Sequence, residues 1–264
     1  MLAELTRSPA IAQERAVVTA HEQVGEGLYE LWLASFGLAQ ALPGQFVHVR
    51  CGEATLRRPF SVHRTRPDAA ALLYQVKGKG TRWLSTVRKG QTLDVLGPIG
   101  RPFSPPVPGE RLLLVGGGIG MAPLALYAEQ HARVLRGRVL AGFRSQSLVA
   151  GLAPCLASEL AVTVVTDDGS SGRQGLVTDG LADTLLAEGI TRVLTCGPEG
   201  MMRAVAAIAS AHGIPCEASV ERPMACGIGV CLGCVVPVHG ADGRVHYERA
   251  CQEGPVFDAR EVVW

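Results

Sequence analysis

Cysteines are the residues of this chain whose type and spacing carry the clearest chemistry. Four of its eight cysteines lie near the C-terminal end, at Cys226, Cys231, Cys234 and Cys251. Three of them belong to one short loop with three glycines, Cys-Gly-Ile-Gly-Val-Cys-Leu-Gly-Cys. Such glycines permit the backbone angles of a tight wrap and leave N–H groups free to point at sulfur. The pattern indicates four thiolates converging on one metal-containing group.

Two kinds of metal group could use these four thiolates. The spacing Cys-x4-Cys-x2-Cys with a distant fourth cysteine is typical of plant-type [2Fe–2S] clusters. In such a site one loop wraps the two irons, and a following hairpin supplies the last ligand. A structural zinc site is the alternative, but zinc ribbons generally use two Cys-x2-Cys pairs, and only Cys231 and Cys234 have that spacing. The spacing and the glycines favour the cluster, and disulfides come third because we see no secretion signal.

A glycine-rich segment in the middle of the chain predicts a second binding site. Residues 112–121 (Leu-Leu-Leu-Val-Gly-Gly-Gly-Ile-Gly-Met) consist of an apolar strand, a glycine turn and a helix start. A dinucleotide pyrophosphate can approach the backbone at such a turn. The glycines in question are Gly116, Gly117, Gly118 and Gly120. The alternative is a plain glycine turn between buried elements, since the segment lacks the Rossmann pattern. A second loop at 195–202 follows another strand, and both loops would face one crevice.

The elements that must position these sites change character along the chain. From Arg15 to about Leu96, short β-type runs broken by Gly, Pro and charged residues predict an antiparallel barrel. Pro102–Gly109 is the clearest linker, and after it strands and helices alternate, which predicts a parallel α/β sheet. We therefore expect a multidomain α and β fold. It would have a β-barrel at 13–106, an α/β domain at 107–215 and a small cluster domain at 216–264.

Charge and composition argue against several classes of partner. The net charge is +1 and aromatic residues make up 5% of the chain, so nothing suggests a nucleic acid ligand. The longest uncharged run, Leu112–Ala128, contains four glycines and a proline and is short for a membrane span. The segment Met1–Arg15 carries charges and has no apolar core of the signal-peptide type. We expect a cytoplasmic protein with no nucleic acid and no membrane partner.

The order of the motifs resembles the ferredoxin–NADP reductase superfamily along nearly the whole chain. In sequence order these motifs are Arg58-Pro-Phe-Ser61, Gly80-Thr81, Gly97-Pro-Ile-Gly100, Gly116–Gly120 and Cys196-Gly-Pro198. In that superfamily a β-barrel binds the flavin, and the following α/β domain binds the nicotinamide. The tail from Glu221 to Cys234 resembles a narrower family, the electron-transfer subunits of the NAD-dependent class of bacterial dihydroorotate dehydrogenase. Without the resemblance, Arg58 would be read as a solvated arginine on a strand.

The resemblance implies an oxidoreductase subunit that carries FAD, a [2Fe–2S] cluster and NAD. Its partner would be an FMN-containing dihydroorotate dehydrogenase catalytic subunit, in a heterotetramer of two plus two chains. Electrons would pass from FMN through the cluster and FAD to NAD⁺, in pyrimidine biosynthesis. The implied FAD contacts are Arg58, Pro59, Phe60, Ser61, Leu73, Tyr74, Gln75, Gly80 and Thr81. The implied cluster ligands are Cys226, Cys231, Cys234 and Cys251. Cys196 would lie near the nicotinamide and flavin, where it could position the hydride or simply pack.

Several departures and alternatives stay open at this point. Gln75 stands where the family often has arginine, and Pro223 separates Arg222 from Met224 just before the cluster loop. The strand Arg138–Phe143 ends without an acidic residue for a ribose hydroxyl, so the residues do not decide between NADH and NADPH. A reductase subunit of a hydrogenase or of an electron-bifurcating transhydrogenase would share the same parts. A zinc-stabilised binding module without redox chemistry is the third possibility.

Overall fold

The computed structural model describes residues 10–158 and 160–264, and its N-terminal part is a closed six-stranded barrel. The barrel strands are β1 (Ala12–Gly25), β2 (Leu28–Ala34), β3 (Phe46–Val49), β4 (Arg58–Arg66), β5 (Ala69–Gln75) and β6 (Thr92–Ile99). Two short helices, α1 (Phe36–Ala39) and α2 (Lys79–Leu84), lie in the connections. Around the barrel the order is β1–β2–β5–β4–β3–β6, with every neighbouring pair antiparallel. The predicted antiparallel barrel is confirmed.

The next part of the chain alternates strands and helices. Its strands are β7 (Leu112–Gly117), β8 (Gly137–Phe143), β9 (Ala161–Thr166), β10 (Arg173–Gln174) and β11 (Arg192–Cys196). Its helices are α3 (Met121–His131), α4 (Ala153–Leu156), α5 (Leu181–Ala187) and α6 (Glu199–Ala211). Neighbouring strands pair in parallel, as the alternation predicts. None of the helices in the described part of the chain is long and apolar enough to cross a bilayer. Residues 1–9 of the segment examined for a signal peptide lie outside that part.

The C-terminal part adds four strands and the cysteine loop. These strands are β12 (Cys216–Ser219), β13 (Val235–His239), β14 (Val245–Arg249) and β15 (Val256–Asp258). Strands β13 and β14 form a separate hairpin, whereas β12 and β15 extend the large sheet to the order β10–β9–β8–β7–β11–β12–β15. The large sheet therefore takes strands from both sides of residue 215, where we expect the domain boundary. The cysteine loop lies between β12 and β13.

The barrel docks on helix α3 through its strand β4. Arg64 Nε donates to Glu129 Oε1 at 3.0 Å, and the Thr65 backbone N–H donates to Glu129 Oε2 at 3.2 Å. Gln130 Nε2 donates to the Ala41 carbonyl at 2.9 Å. The buried ring of His63 lies 3.4 Å from the Ala122 carbonyl oxygen. These contacts fix the orientation of the barrel relative to helix α3.

A half-buried ion cluster ties the linker to the large sheet. Arg192 of β11 is 8% exposed. Its Nη1 donates to Glu217 Oε1 at 3.0 Å, and its Nη2 donates to Glu110 Oε2 at 2.8 Å and to the Pro105 carbonyl at 3.0 Å. Glu217 also accepts the Ser104 N–H at 2.9 Å. One guanidinium therefore pairs with two carboxylates and holds the proline-rich linker in place.

Replacing this arginine should destabilise the whole chain. In Arg192→Met the carboxylates of Glu110 and Glu217 lose their counter-ion in a region of restricted solvation. We expect the free energy of unfolding, measured by urea denaturation, to fall by about 3 kcal/mol. The matched control is Arg260→Met, which breaks the exposed ion pair with Asp258. That variant should lose less than about 1 kcal/mol. Equal losses in the two variants would contradict a supporting role for the Arg192 cluster.

Candidate functional site

The cysteine loop directs backbone N–H groups at thiol sulfur atoms. The pairs are Gly229 N to Cys251 Sγ at 3.2 Å, Cys231 N to Cys226 Sγ at 3.4 Å, and Gly233 N to Cys231 Sγ at 3.4 Å. Gly227 and Gly229 adopt φ values of +72° and +82°, which the tight wrap requires. Donors aimed at sulfur stabilise thiolates and other anionic sulfur. This confirms the expected use of the loop glycines.

The four sulfur atoms are arranged as two neighbouring pairs. Cys234 Sγ and Cys251 Sγ are buried and lie 3.3 Å apart. Two sulfur ligands of one tetrahedral metal, each at about 2.3 Å, lie less than about 4 Å apart. Cys226 and Cys231 form the other pair, linked by the Cys231 N–H. Within residues 10–158 and 160–264, no three His, Cys, Asp or Glu side chains gather as a site for one ion. The paired arrangement fits a group with two metals.

The two pairs differ in their electrostatics. Burial alone would raise the pKa of the Cys226 thiol. The N–H donors of Ile228 and Cys231 together have a larger effect in the opposite direction, and they lower this pKa to about 6. Burial and the neighbouring Cys234 thiol raise the pKa of Cys251 to about 12. The exposed end of the loop is therefore prepared for an anionic ligand atom. The Cys251 thiol at the buried end therefore needs a nearby cation before it ionises.

His48 lies between the barrel and the cysteine loop. Its side chain is fully buried, and neither ring nitrogen has a hydrogen-bond partner among the residues that the structure describes. A Cβ added to Gly227 would lie 2.8 Å from both Nδ1 and Cε1 of the ring. Burial, followed by the charge of Arg57, lowers the pKa of His48 to about 4. We missed this residue in the sequence because none of the histidines has metal-ligand spacing to another. Strand parity could have indicated it, because His48 lies between Val47 and Val49, which point into the barrel, and must therefore point out of it.

Part of the predicted FAD set meets at the start of helix α2. The Arg58 side chain lies against Gly80, where an added Cβ would be 3.1 Å from Arg58 Nε. Thr81 Oγ1 accepts the N–H groups of Lys77 and Gly78 at 2.9 and 3.1 Å. Beside Gly78 there is open space, with no atom within 4 Å of an added Cβ. A guanidinium beside an open glycine turn suits a phosphate group.

The rest of the predicted FAD set lies on two different faces of the barrel wall. Phe60 and Tyr74 point into the barrel, with ring centroids 5.6 Å apart, and Tyr74 Oη lies 2.8 Å from His21 Nε2. Leu73 points outward and reaches Gly151 of the α/β domain. The half-buried members are Pro59, Ser61 and Gln75. The flavin contacts of all these residues stay predictions, and for Phe60 and Tyr74 the rings belong to the barrel core.

The two glycine loops are packed directly against each other. A Cβ on Gly120 would overlap the Cys196 carbonyl oxygen, and one on Gly117 would lie 2.7 Å from Pro198 Cδ. Gly116 has no room for a Cβ beside the Met121 sulfur. Only Gly118, at φ +54°, has no atom within 4 Å of an added Cβ. Close packing between buried elements thus accounts for three of the four glycines, and Gly118 leaves space for a ligand.

Cys196 ends strand β11 at the junction of these two loops. Its side chain is half-buried, and burial, partly offset by a hydrogen bond with Ser219, raises the pKa of its thiol to about 12. The thiol is therefore neutral at physiological pH, as a packing residue or a hydride-positioning residue would be. Burial also raises the thiol pKa values of the three remaining cysteines, Cys51, Cys155 and Cys216. The sequence predicts that these three are small buried apolar residues, and their raised pKa values agree with that prediction.

Comparisons with curated proteins place both the tail and the whole chain. Residues 221–263 match the family described as the iron–sulfur cluster binding domain of dihydroorotate dehydrogenase B. The dihydroorotate dehydrogenase B (NAD(+)) electron transfer subunit of Desulforamulus reducens is 39% identical over 230 residues, covering 85% of this chain and 87% of the relative. The subunit of the same name from Caldanaerobacter subterraneus subsp. tengcongensis is 37% identical over 251 residues, covering 95% and 98%.

Solved structures agree with this assignment. A chain from the structure of an NADH-dependent reduced ferredoxin–NADP oxidoreductase has a TM-score of 0.82 at 30% identity, covering 94% of this chain and 90% of that one. The ferredoxin reductase of carbazole 1,9a-dioxygenase shares the fold, with a TM-score of 0.68 at 23% identity and coverages of 78% and 67%. The superfamily expected from the order of the motifs is confirmed. On the identity and coverage of its relatives, the chain belongs to the family of dihydroorotate dehydrogenase B electron transfer subunits.

Proposed function

We propose that this chain carries electrons from the FMN of a dihydroorotate dehydrogenase catalytic subunit to NAD⁺, by way of a [2Fe–2S] cluster and FAD. The observation that carries the proposal is the cysteine loop, with its paired sulfur atoms and directed N–H groups, in a chain that belongs to this family. When bound, FAD supplies the exchange between electron pairs at the nicotinamide and single electrons at the cluster. The protein itself needs no general acid or base.

The residues of the chain bind, orient and shield these groups. The N–H groups of the cysteine loop favour anionic sulfur, and burial of Cys234 and Cys251 keeps water from one side. Arg58 and the open turn at Gly78 would bind a phosphate of FAD. The open position at Gly118 would take the pyrophosphate of NAD at the start of α3. Cys196, with its neutral thiol, would border the nicotinamide.

The surface of the cysteine loop supports docking of a catalytic subunit. Its apolar side chains Ile228, Val230 and Leu232 are 47%, 76% and 62% exposed. Leu232 has φ +56°, a left-handed conformation that costs a non-glycine residue about 1 kcal/mol. Such strain usually persists where function uses the side chain. We propose that this face binds an FMN-containing subunit, so that the cluster is buried at the interface. The complex would be cytoplasmic and contain two chains of each kind, without membrane or nucleic acid.

A second candidate function has a specific observation behind it. The similarity to a chain of the NADH-dependent reduced ferredoxin–NADP oxidoreductase extends over 94% of this chain. The same parts would serve as the FAD and [2Fe–2S] subunit of an electron-bifurcating transhydrogenase or a hydrogenase, using NADH or NADPH. The whole-length relatives named as electron transfer subunits of dihydroorotate dehydrogenase B favour the first candidate.

Co-expression with a dihydroorotate dehydrogenase catalytic chain tests the proposed function. We expect a stable complex that reduces NAD⁺ when dihydroorotate is added, and the catalytic chain alone should not do so. In Val230→Asp the charge in the docking face should weaken the complex about tenfold or more, with flavin and cluster absorbance unchanged. A loaded protein that gives no dihydroorotate-dependent reduction of NAD⁺ would refute the proposal. Purification with a nickel or multi-cluster partner would support the second candidate instead.

A further inference from the structure

His48 has buried polar atoms that the protein itself leaves without partners. It is alone among the described residues in having every polar atom of its side chain buried and unpaired. Leaving a buried donor or acceptor unpaired costs about 1–3 kcal/mol, and such groups in a folded protein call for an explanation. His63, the other fully buried histidine of the barrel, shows the usual solution, with Ala122 O and Glu30 Oε1 within 3.5 Å of its ring. No residue in the described part of the chain supplies a hydrogen-bond partner for the His48 ring.

The geometry shows which group the ring faces. Val47 and Val49 point into the barrel core, so Phe46 and His48 point out of it. Phe46 packs in the same apolar core as Cys234 and Cys251. The Nδ1–Cε1 edge of His48 lies against Gly227, the residue that follows the ligand Cys226. Any larger residue at position 227 would collide with the ring. The imidazole thus borders the volume that the cysteine loop encloses.

The same strand connects His48 rigidly to the flavin side. In the barrel register His48 lies opposite Pro59, inside the motif Arg58–Ser61 that the family uses for FAD. On its other side the strand pairs with β6 at Leu96. Pairing on both sides fixes the backbone of β3 at His48. His48 is therefore a side chain of the FAD motif's own strand pair that lies against the cysteine loop.

We infer that His48 is a positioning residue whose ring N–H donates a hydrogen bond to a sulfur atom of the [2Fe–2S] cluster. The inference rests on the proposed function, because it needs that cluster in the cysteine loop. One-electron reduction adds one negative charge to the cluster and forms or breaks no bond. An N–H donor stabilises the more negative form and so raises the reduction potential. A neutral imidazole contributes a directed N–H group without net charge.

Redox titration of the cluster, followed by EPR on the holoprotein, tests this inference. His48→Phe keeps a buried ring and removes the N–H. We expect its equilibrium constant for one-electron reduction to fall about tenfold, which is about 59 mV for one electron. His48→Gln retains an amide N–H and should recover most of the shift, which a purely structural role would not explain. The control is His131→Phe in helix α3, a half-buried histidine beside Tyr127 with a similarly lowered pKa. Its cluster potential should equal that of the wild type.

A spectroscopic measurement makes the test independent of potential and activity. With ¹⁵N-histidine incorporated, pulsed EPR of the reduced cluster should show a weak ¹⁵N coupling that disappears in His48→Phe. A cluster that assembles normally but shows no such coupling, or an unchanged potential in His48→Phe, would overturn the inference and leave the proposed function intact. A wild-type protein that shows no [2Fe–2S] signal on reduction would overturn both.

Discussion

The Cys251→Ser variant should lose dihydroorotate-dependent NAD⁺ reduction by about 100-fold or more while it keeps its FAD. Cys251 is buried, accepts the Gly229 N–H and lies 3.3 Å from Cys234 Sγ. Changing only the groups around metal ligands already costs about 10–100-fold in metal affinity, so loss of a ligand should cost at least the upper value. Without the cluster, electrons would have no one-electron centre between the catalytic subunit and the flavin.

Iron content, the visible spectrum and two activities measure this outcome. We expect the iron–sulfur bands to vanish and the flavin bands to remain. Direct oxidation of NADH by a dye, which needs only the flavin and nicotinamide sites, should stay within about twofold, because those sites lie in other domains. Cys155→Ala is the matched control, since Cys155 is a buried cysteine of helix α4. It should keep both irons. A Cys251→Ser protein with full iron and full activity would contradict the assigned ligand set.

The Gly120→Ala variant should damage the nicotinamide site and the stability of the chain together. An added Cβ would overlap the Cys196 carbonyl oxygen, so the two glycine loops would have to move apart. Overpacking of this kind costs about 1–3 kcal/mol. The clash is with backbone atoms of Cys196, which cannot be relieved by a change of side-chain rotamer. We expect the free energy of unfolding to fall by about 2–3 kcal/mol. The KM for NADH should rise about tenfold or more, equivalent to about 1.4 kcal/mol of lost binding.

A second glycine provides the control for this variant. Gly200 lies in the first turn of α6, beside the same crevice, and has no atom within 4 Å of an added Cβ. Gly200→Ala should be neutral or stabilising by up to about 1 kcal/mol, because alanine is the better helix former. Steady-state kinetics with NADH and urea denaturation of both variants give the comparison. Equal behaviour of Gly120→Ala and Gly200→Ala would show that the two loops are not in close contact.

Local patterns were sufficient to predict most of the fold. Short β-type runs and turn signals indicate the barrel. The sequence also predicts strands at Leu28–Ala34, Ala161–Thr166 and Arg192–Cys196, and the structure has strands with these same bounds. The sequence predicts a helix over Met121–Leu135, but α3 ends at His131, because the N–H groups of Val134 and Leu135 both return to the His131 carbonyl and close the last turn. The N–H groups aimed at sulfur also follow from local sequence, since they come from Gly229, Cys231 and Gly233 within the loop itself.

Contacts between distant segments could not be predicted in this way. The four residues of β12 carry little strand signal, and their pairing with β15 joins segments separated by the whole cysteine tail. The contact between His48 and Gly227 likewise links the first and last domains. The inward direction of Tyr74 was available from strand parity, because it shares a face with Leu72 and not with Leu73. In the segment Gly116–Gly120, the glycines Gly116, Gly117 and Gly120 allow close packing, and for Gly117 and Gly120 this packing is against the distant loop at Cys196–Pro198.

The return of the chain to the large sheet has a mechanical consequence for electron transfer. Ser219 and Val256 pair directly, and the Val220 N–H donates to the Pro255 carbonyl, so the cysteine-bearing unit begins and ends at one paired position. Its far side is also fastened, because Val263 donates its N–H to the Pro237 carbonyl of β13. Because these pairings hold the unit at both ends, it cannot move as a domain on a flexible linker. Electrons should therefore tunnel across a preset gap, at a rate set by separation and driving force and independent of domain diffusion.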